Sequence, residues 1–462
     1  MKKIIGLLLL CLLIGIFSAC NETVTEGDLE GETVTEYRDF GGQEFIHSTS
    51  GWVMFWPEEA ISVNNDRIRA KTKAVQEALN CVLTDEIGGD EKSTYYQQLI
   101  AVGDYHINFA TEMGTPNCIY SLYKAGMIEY LDDIEAIDLK NEKVWGTPAK
   151  RLPFTYEGKV WAYAGGGKEG GAYGRILYNN ELIKEFGIDS PQVLLEQNKW
   201  TFDTFKELLP LVSDTSTERK IYGLSIYPDD QMLPLSAIFA NGGNIVKTDS
   251  SGKSYFGLSD NEALTALEWV KSLEADKDSL KHDAWPPTIF GSKGSTFFLT
   301  RSWVGLGVSE TDKIMYPQSH LDDFGWIPFP YGPNAEYGKS SGAYDSEAGG
   351  SVIMIGNDKQ DSGYVLNAFL SFVMTDDEGN IIDEEALFKR NFFQTEESYN
   401  NYKDGCNNFS YDYFSQLENS YKDMVSALNK VTKGTATPNE AMESIKVAMQ
   451  AQIDISINGA GE

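Results

Sequence analysis

Apolar residues in the first part of the chain alternate between short continuous runs and helical spacing. The short runs predict strands at residues 44–49, 81–84 and 107–110. Between and after them, helical spacing predicts helices over residues 65–80 and 119–125. Strands that alternate with helices indicate an α/β fold with largely parallel sheets.

A run of glycines interrupts this alternation. Five of the seven residues from 165 to 171 are glycine, directly after a predicted strand at 160–164. Glycine adopts backbone torsions that other residues resist, so the run suits a hinge. A new strand is predicted at 175–179, and residues 324–330 form an extended segment bounded by glycine and proline. We interpret residues 165–171 and 324–330 as two crossings between lobes.

The length of 462 residues exceeds a single ordinary hydrophobic core and agrees with two lobes. The first lobe is predicted to comprise residues 44–168 and 328–373, and the second residues 169–327 and 374–462. Ligands of open α/β sheets bind outside the carboxyl ends of the strands. A ligand cleft is therefore expected between the lobes.

The N-terminus has the order of a secretory signal. Lys2 and Lys3 precede an apolar stretch, residues 4–17, which is shorter than the roughly 20 residues of a membrane span. Residues 1–19 are predicted to be a signal peptide. The sequence Phe-Ser-Ala-Cys at 17–20 resembles the bacterial lipobox, which implies that Cys20 becomes the first residue and carries lipid, including palmitate. The alternative is an ordinary secretory signal with an incidental cysteine.

Residues 20–43 are predicted to be a solvated tether. The first part of this segment is acidic, rich in threonine and without aromatic residues. Such a sequence buries too little apolar surface to offset the entropy of ordering the chain. The folded body is therefore expected outside the cytoplasmic membrane, anchored to it through lipid.

The formal net charge is −31, which argues against binding to nucleic acid and against adhesion to anionic lipid headgroups.

Beyond Cys20, only Cys81, Cys118 and Cys406 remain. Their odd number and wide spacing indicate neither a zinc site nor a disulfide framework, although one disulfide is possible.

Sequence signatures of enzymes are absent. There is no nucleophile elbow, no His-Glu-x-x-His and no glycine-rich phosphate loop followed by lysine and serine or threonine. The four histidines have no metal-ligand spacing. Catalytic residues, metals and cofactors are therefore not expected.

Six short motifs occur in a fixed order along the chain. They are LYNNELIKEFGI at 177–188, NKWTFDTF at 198–205, YGLS at 222–225, FANGG at 239–243, FGWIPFP at 324–330 and TPNEAM at 437–442. Together they resemble the family 1 extracellular solute-binding proteins of ABC importers, the group that contains the maltodextrin-binding proteins. The resemblance runs from about residue 45 to about residue 455. The segment KGSTFF at 293–298 departs from the family pattern, which has Ala-Met at its end.

The resemblance implies a two-lobed periplasmic-binding-protein fold of type II. It also implies a monomer that binds a sugar or oligosaccharide and delivers it to an ABC permease, without enzymatic activity. Two alternatives stay open. A binding protein for a polyamine or metal chelate would share the fold, and a surface polysaccharide hydrolase or lyase would share the anchor and an aromatic cleft.

Sugars present apolar C–H faces and rims of hydroxyl groups, so their sites need aromatic platforms and polar side chains. The candidate ligand-binding residues, chosen by position after predicted strands or by the resemblance, are Trp52, Trp56, Glu112, Tyr163, Tyr227, Asp229, Asp230 and Trp303. Each has a structural alternative. Trp303 and Tyr163 could pack in a core, the loop tryptophans could staple the chain, and Glu112 could be a solvated acid.

Overall fold

A computed structural model describes most of the chain. The described residues are 37–49, 54–59, 63–88, 92–112, 118–163, 174–228, 231–301, 323–339, 342, 350–376, 380–408, 412, 417 and 420–459. The predicted signal peptide, the predicted acylation site and most of the predicted tether lie outside these ranges. Residues 165–171 and Trp303 also lie outside them.

Strands and helices alternate up to residue 163. The elements are β1 (Gln43–Thr49), α1 (Val63–Leu79), β2 (Cys81–Ile87), α2 (Lys92–Ala101), β3 (Phe109–Glu112), α3 (Cys118–Lys124), β4 (Ile128–Glu129), α4 (Glu142–Trp145), α5 (Pro148–Arg151), β5 (Thr155–Tyr156) and β6 (Lys159–Val160). The strand predicted at 107–110 lies two residues later. The strand predicted at 160–164 is wrong in extent, because β6 pairs only with β5 and Tyr163 then makes a separate bridge to Ser351.

The second part of the chain contains β7 (Arg175–Asn179), α6 (Asn180–Glu185), α7 (Pro191–Glu196), α8 (Phe202–Leu211), β8 (Tyr222–Ile226), α9 (Met232–Ala240), β9 (Val246–Thr248), β10 (Ser254–Phe256), α10 (Asn261–Glu274), β11 (Leu280–His282), α11 (Pro286–Gly291), β12 (Ser295–Thr300) and β13 (Phe324–Pro328). The last part contains β14 (Gly350–Met354), α12 (Lys359–Ser371), α13 (Glu384–Phe392), α14 (Glu396–Asn407), α15 (Tyr421–Thr432) and α16 (Pro438–Ser456).

Each lobe is built on a five-stranded sheet. The first sheet has the order β2-β1-β3-β14-β4, and the second has the order β11-β8-β12-β7-β13. In the first sheet β2, β1 and β3 are parallel, whereas β14 runs antiparallel to β3 and β4. In the second, β11, β8 and β12 are parallel and β7 runs antiparallel to both of its neighbours. The expected parallel sheets are thus interrupted by one reversed strand in each lobe.

Both sheets are covered on two faces. Neighbouring residues of a strand point to opposite sides, and in the first sheet Phe109 and Ile353 pack in one hydrophobic cluster while Ala110 and Val352 pack in another. In the second sheet, Leu177 faces a different cluster from its neighbours in β7. Helices on both faces explain why these strands are apolar at successive positions.

The second crossing was predicted at the wrong place. Residues 324–328 form β13, which pairs with β7 along its whole length. Phe329 belongs to the core of the second lobe, and Tyr331 forms a bridge to Thr201 there. The boundary of the first lobe therefore moves from residue 328 to the interval between Gly342 and Gly350. An edge strand bounded by glycine and proline has the same local pattern as a crossing, so sequence spacing did not separate them.

Local sequence explains several element ends. Thr201 caps α8 by accepting a hydrogen bond from the Thr204 amide, and the first turn contains Asp203 as expected for a helix N-terminus. Thr437 and Glu440 form a capping box at the start of α16. Both helix starts coincide with motifs of the predicted family.

Cys81, Cys118 and Cys406 are free thiols, so the possible disulfide among them is not formed. None of the helices in the described ranges is long and apolar enough to cross a lipid bilayer.

Candidate functional site

The connections between the lobes identify the edges of the sheets that border the cleft. Tyr163, the last described residue before the first crossing, bridges Ser351 near the start of β14. Because β14 is antiparallel to β3, this point lies at the carboxyl end of β3. In the second lobe the chain enters through Arg175, which pairs with Thr300 at the carboxyl end of β12. The crossings therefore join the carboxyl edges of both sheets, where α/β folds bind ligands.

Four side chains form a continuous hydrogen-bonded chain at the edge of the first sheet. The Nδ1 atom of His47 lies 2.7 Å from Asp85 Oδ1, and its Nε2 atom lies 2.8 Å from Thr111 Oγ1. The hydroxyl of Thr111 lies 2.8 Å from that of Ser351. The four residues come from β2, β1, β3 and β14 in the spatial order of the sheet. We call them the first-edge chain.

Asp85 also holds the aromatic loop that follows β1. Its Oδ1 atom accepts the Met54 amide, and its Oδ2 atom accepts the amides of Phe55 and Trp56, at 2.6–2.9 Å. Burial acts to raise the pKa of Asp85, but the hydrogen bonds from His47 and the loop amides outweigh it, so the pKa lies below its ordinary value. An ionised Asp85 therefore anchors the loop.

Trp56 is half-buried in the first lobe. Its indole N–H donates to the carbonyl of Leu83 at 2.5 Å, and the guanidinium of Arg69 lies 5.2 Å from its ring centroid. Tyr163 is also half-buried, with its ring 5.3 Å from that of Trp145. Both side chains are thus held in place from within the lobe, and their contact with a ligand stays a prediction.

Aromatic side chains gather at the carboxyl edge of the second sheet. Tyr227 follows β8, Trp285 follows β11, and their ring centroids lie 6.3 Å apart at an angle of 76°. The guanidinium of Arg301, just after β12, lies 5.6 Å from the Tyr227 ring. Trp285 is 38% exposed, and the Asp283 side chain fixes its position by accepting its amide. This arrangement offers two nearly perpendicular aromatic rings beside a cation.

A cavity of about 240 Å³ lies next to Tyr227. It is bordered by Met232, Lys277, His282 and Lys433, and by the almost fully buried carboxylate of Glu274. The Nε2 atom of His282 lies 2.9 Å from a Glu274 oxygen. The cavity therefore mixes an apolar wall with paired charges at the rim of the aromatic surface.

Arg175 occupies the start of β7 and is only 2% exposed. Its Nη2 atom lies 3.4 Å from the sulfur of Cys406, and its guanidinium lies 5.1 Å from the Tyr402 ring centroid. Gly405 leaves the room for it, since a Cβ there would lie 1.4 Å from Nη1. These contacts direct Arg175 into α14 and tie that helix to the cleft edge.

The remaining predicted ligand residues are described only in part. Glu112 ends β3 opposite Gly350, but its side chain lies outside the described residues. Trp52, Asp229, Asp230 and Trp303 also lie outside them, although Asp229 and Asp230 follow Tyr227 directly in the sequence. Among the residues that are described, no group of three or more His, Cys, Asp or Glu side chains could hold a metal ion.

Sequence reasoning missed His47, Asp85, Thr111 and Trp285. The sequence held a local signal for Trp285, an aromatic residue directly before a proline, as is Tyr227, which the resemblance had selected. For the first-edge chain, the only local signal was a polar residue near the end of each strand. Its members come together through sheet order, which the local pattern does not contain.

No protein-family model and no curated protein sequence matches this chain. Solved structures do match. The cyclic α-maltosyl-1,6-maltose-binding protein of Arthrobacter globiformis is 14% identical with a TM-score of 0.62, over 90% of this chain and 100% of that one. The galacto-N-biose/lacto-N-biose I-binding protein of a Bifidobacterium longum ABC transporter, in complex with lacto-N-biose, is 12% identical with a TM-score of 0.61, over 92% and 99%.

The chain has the fold of these solute-binding proteins. The predicted two-lobed α/β fold is thereby confirmed. A third similar structure is UgpB from Mycobacterium tuberculosis in complex with glycerophosphocholine, 14% identical with a TM-score of 0.61 over 90% of this chain and 100% of that one. Since these structures contain different ligands, the shared fold leaves the ligand class of this chain to its own residues.

Proposed function

We propose that this protein is the extracytoplasmic solute-binding component of an ABC importer, and that it captures a sugar or oligosaccharide between its lobes. The observation that carries the proposal is the pair of carboxyl edges joined by the chain crossings, one with the first-edge chain and the other with Tyr227 and Trp285. Such a protein binds and releases its ligand without chemical change. Ligand that contacts both edges stabilises a closed state, which a permease can distinguish by shape.

The aromatic edge favours a carbohydrate. A partly exposed tryptophan beside a tyrosine gives the apolar face of a sugar ring a platform. We assign Tyr227 and Trp285 to this platform. Trp303, Asp229 and Asp230 are proposed to lie with them, and Trp52, Trp56, Glu112 and Tyr163 on the opposite edge.

The proposed anchor rests on the N-terminal sequence, and the proposed partner and monomeric state rest on the resemblance to solute-binding proteins. We propose that Cys20 carries lipid, that the tether keeps the body near the membrane, and that the protein acts as a monomer with an ABC permease. Replacing Cys20 with alanine is expected to release the protein into the medium or to block its maturation. Unchanged membrane fractionation of that variant would contradict the anchor while leaving the binding function untouched.

A thermal-shift screen tests the ligand class. The panel contains galactobiose, lacto-N-biose, maltotriose and cyclic maltosyl-maltose, with glycerophosphocholine and spermidine as non-sugar members. A true ligand at 100 times its Kd should stabilise the folded state by about 2.7 kcal/mol. Stabilisation by a non-sugar alone would favour the alternative solute class, and product formation from a saccharide would favour the polysaccharide-degrading alternative.

Scattering in solution tests the mechanism. With saturating ligand, the radius of gyration is expected to decrease as the two lobes close on the ligand. Equal radii with and without ligand would contradict the proposed closure.

A further inference from the structure

Thr111 is the most exposed member of the first-edge chain. His47 is fully buried, the Asp85 side chain is 5% exposed and Ser351 is 8% exposed, whereas Thr111 is half-buried. Thr111 also lies at the carboxyl end of β3, one strand from the crossing at Ser351. A ligand that reaches the first edge would therefore meet the Thr111 hydroxyl first.

The hydrogens of the chain can be assigned one by one. An ionised carboxylate only accepts hydrogen bonds, so the contact with Asp85 requires a hydrogen on Nδ1 of His47. If His47 carries only this hydrogen, Nε2 is left as an acceptor. Nε2 then accepts the only hydroxyl hydrogen of Thr111.

The same reasoning extends to Ser351. The two hydroxyls lie 2.8 Å apart, so one of them donates to the other. Since the hydrogen of Thr111 is directed to His47, Ser351 must be the donor. Both hydroxyl hydrogens thus point inward along the chain, toward Asp85. One lone pair of the Thr111 oxygen remains beyond these two contacts.

We propose that Thr111 forms a ligand subsite that offers only a hydrogen-bond acceptor, and that the buried Asp85–His47 pair enforces this polarity. The subsite would select a ligand group that donates a hydrogen bond, such as a sugar hydroxyl. It would disfavour a carboxylate or phosphate, which has no hydrogen to donate and would place its charge against an acceptor. This inference rests on the proposed solute-binding function and specifies the ligand group at Thr111 as a hydrogen-bond donor, such as a sugar hydroxyl.

Asp85 and His47 are positioning residues in this proposal, because they act on the ligand through Thr111. Asp85 would have a second effect, since it also holds the loop amides at residues 54–56. Substitution of Asp85 would disturb both features at once. The decisive experiments therefore address His47 and Thr111.

The first experiment needs no ligand. Imidazole nitrogens are labelled with ¹⁵N in the whole protein, and the His47 resonances are identified by their loss in H47Q. At neutral pH we expect a protonated Nδ1 and an unprotonated Nε2. Protonation of both nitrogens, or of Nε2 alone, would free or reverse the Thr111 hydrogen and overturn the proposal.

The second experiment measures affinity by calorimetry for galactobiose and its charged counterpart digalacturonate. T111V should weaken galactobiose binding about tenfold, the equivalent of one net hydrogen bond, and T111S should restore it. T155V is the matched control, because Thr155 is also half-buried and its hydroxyl bonds only within the first lobe, to Arg151. The melting temperature of T155V also shows how much stability a threonine-to-valine substitution costs away from the cleft.

The outcomes separate this inference from the proposed function. Preference for digalacturonate over galactobiose, or full affinity in T111V, would overturn the acceptor subsite while the protein remained a solute-binding protein. If no saccharide in either panel bound the wild-type protein, the proposed function and this ligand class would both fail, whatever the His47 spectrum.

Discussion

The backbones of Tyr163 and Ser351 exchange two hydrogen bonds, each 2.8 Å long. This pair joins the residue before the first crossing to the strand that follows the second. At the other end of the crossings, Gly174 lies so close to Gly342 that a Cβ on Gly174 would be 2.1 Å from the Gly342 oxygen. The two crossings are therefore adjacent at both ends, and we expect them to bend together.

Gly174→Ala is expected to destabilise the protein more than Gly158→Ala. The two glycines have φ values of +76° and +75°, so alanine is strained at both by about 1 kcal/mol or more. Only at Gly174 would the new Cβ also collide with a backbone oxygen, whereas nothing lies within 4 Å at Gly158. Urea denaturation of both variants gives the comparison. Equal losses of unfolding free energy in the two variants would show that Gly174 and Gly342 can move apart without a further cost.

Trp285→Ala is expected to weaken saccharide binding by about 1–3 kcal/mol, by analogy with the stacking of bases on aromatic side chains. The loss should appear with little change in melting temperature, because the ring is 38% exposed. Trp161→Ala is the control, since Trp161 packs between Tyr123 and Tyr130 inside the first lobe. The reverse result, lower stability with intact affinity, would assign Trp285 to packing. Trp303→Ala is expected to resemble Trp285→Ala.

His106 gives the protein a pH-dependent contribution to stability. Its ring nitrogens lie 3.0 Å from Glu86 and 2.6 Å from Asp104. Burial lowers the pKa of His106, but the hydrogen bonds to these carboxylates outweigh it and raise the pKa above its ordinary value. The stabilisation is therefore fully present below the unfolded pKa, about 6.5, and is lost as pH rises through the folded pKa.

His106→Gln should accordingly lower the melting temperature more at about pH 5.5 than at about pH 8.5. Asp104→Asn removes one of the two carboxylates and should reduce the difference between the two pH values. A deficit in His106→Gln that is independent of pH would contradict the assigned ion pairs. The experiment is a thermal melt of each variant in two buffers of equal ionic strength.

Cys81 and Cys118 are expected to differ in reactivity. Burial raises the pKa of the Cys81 thiol to about 11, so little reactive thiolate forms at neutral pH. Cys118 is half-buried at the start of α3. Brief treatment of the native protein with iodoacetamide should modify Cys118 before Cys81, as read by mass spectrometry of peptides. Denatured protein, in which both should react alike, is the control.

Much of the fold was predictable because its signals are local. The strands at 44–49 and 175–179 are apolar runs, and the helices that begin after Thr201 and Thr437 contain their caps in the adjacent sequence. The crossing at residues 324–330 was predicted wrongly because the signal that decides it is not local. Whether an extended segment pairs with β7 or leaves the lobe depends on a partner far away in the sequence.

The candidate site also contains some residues that the sequence indicated and others that it did not. Tyr227 could be selected from the sequence, since it lies between the YGLS and FANGG motifs that carry the family resemblance. Its neighbour Trp285 becomes part of the same surface only because β8 and β11 are adjacent in the sheet. His47 was visible in the sequence as an isolated histidine near the end of a strand, with no partner indicated.

The sequence by itself determined the two-lobed α/β architecture, the acidic surface and the type of residue at each strand end. These depend on periodicity, charge and capping, which act over a few residues. Only the tertiary structure decided which strand ends meet, and therefore that Asp85, His47, Thr111 and Ser351 form one chain of hydrogen bonds. Hydrogen bonds of this kind require atoms within about 3 Å, and that proximity arises from strand order, which packing of the whole lobe selects.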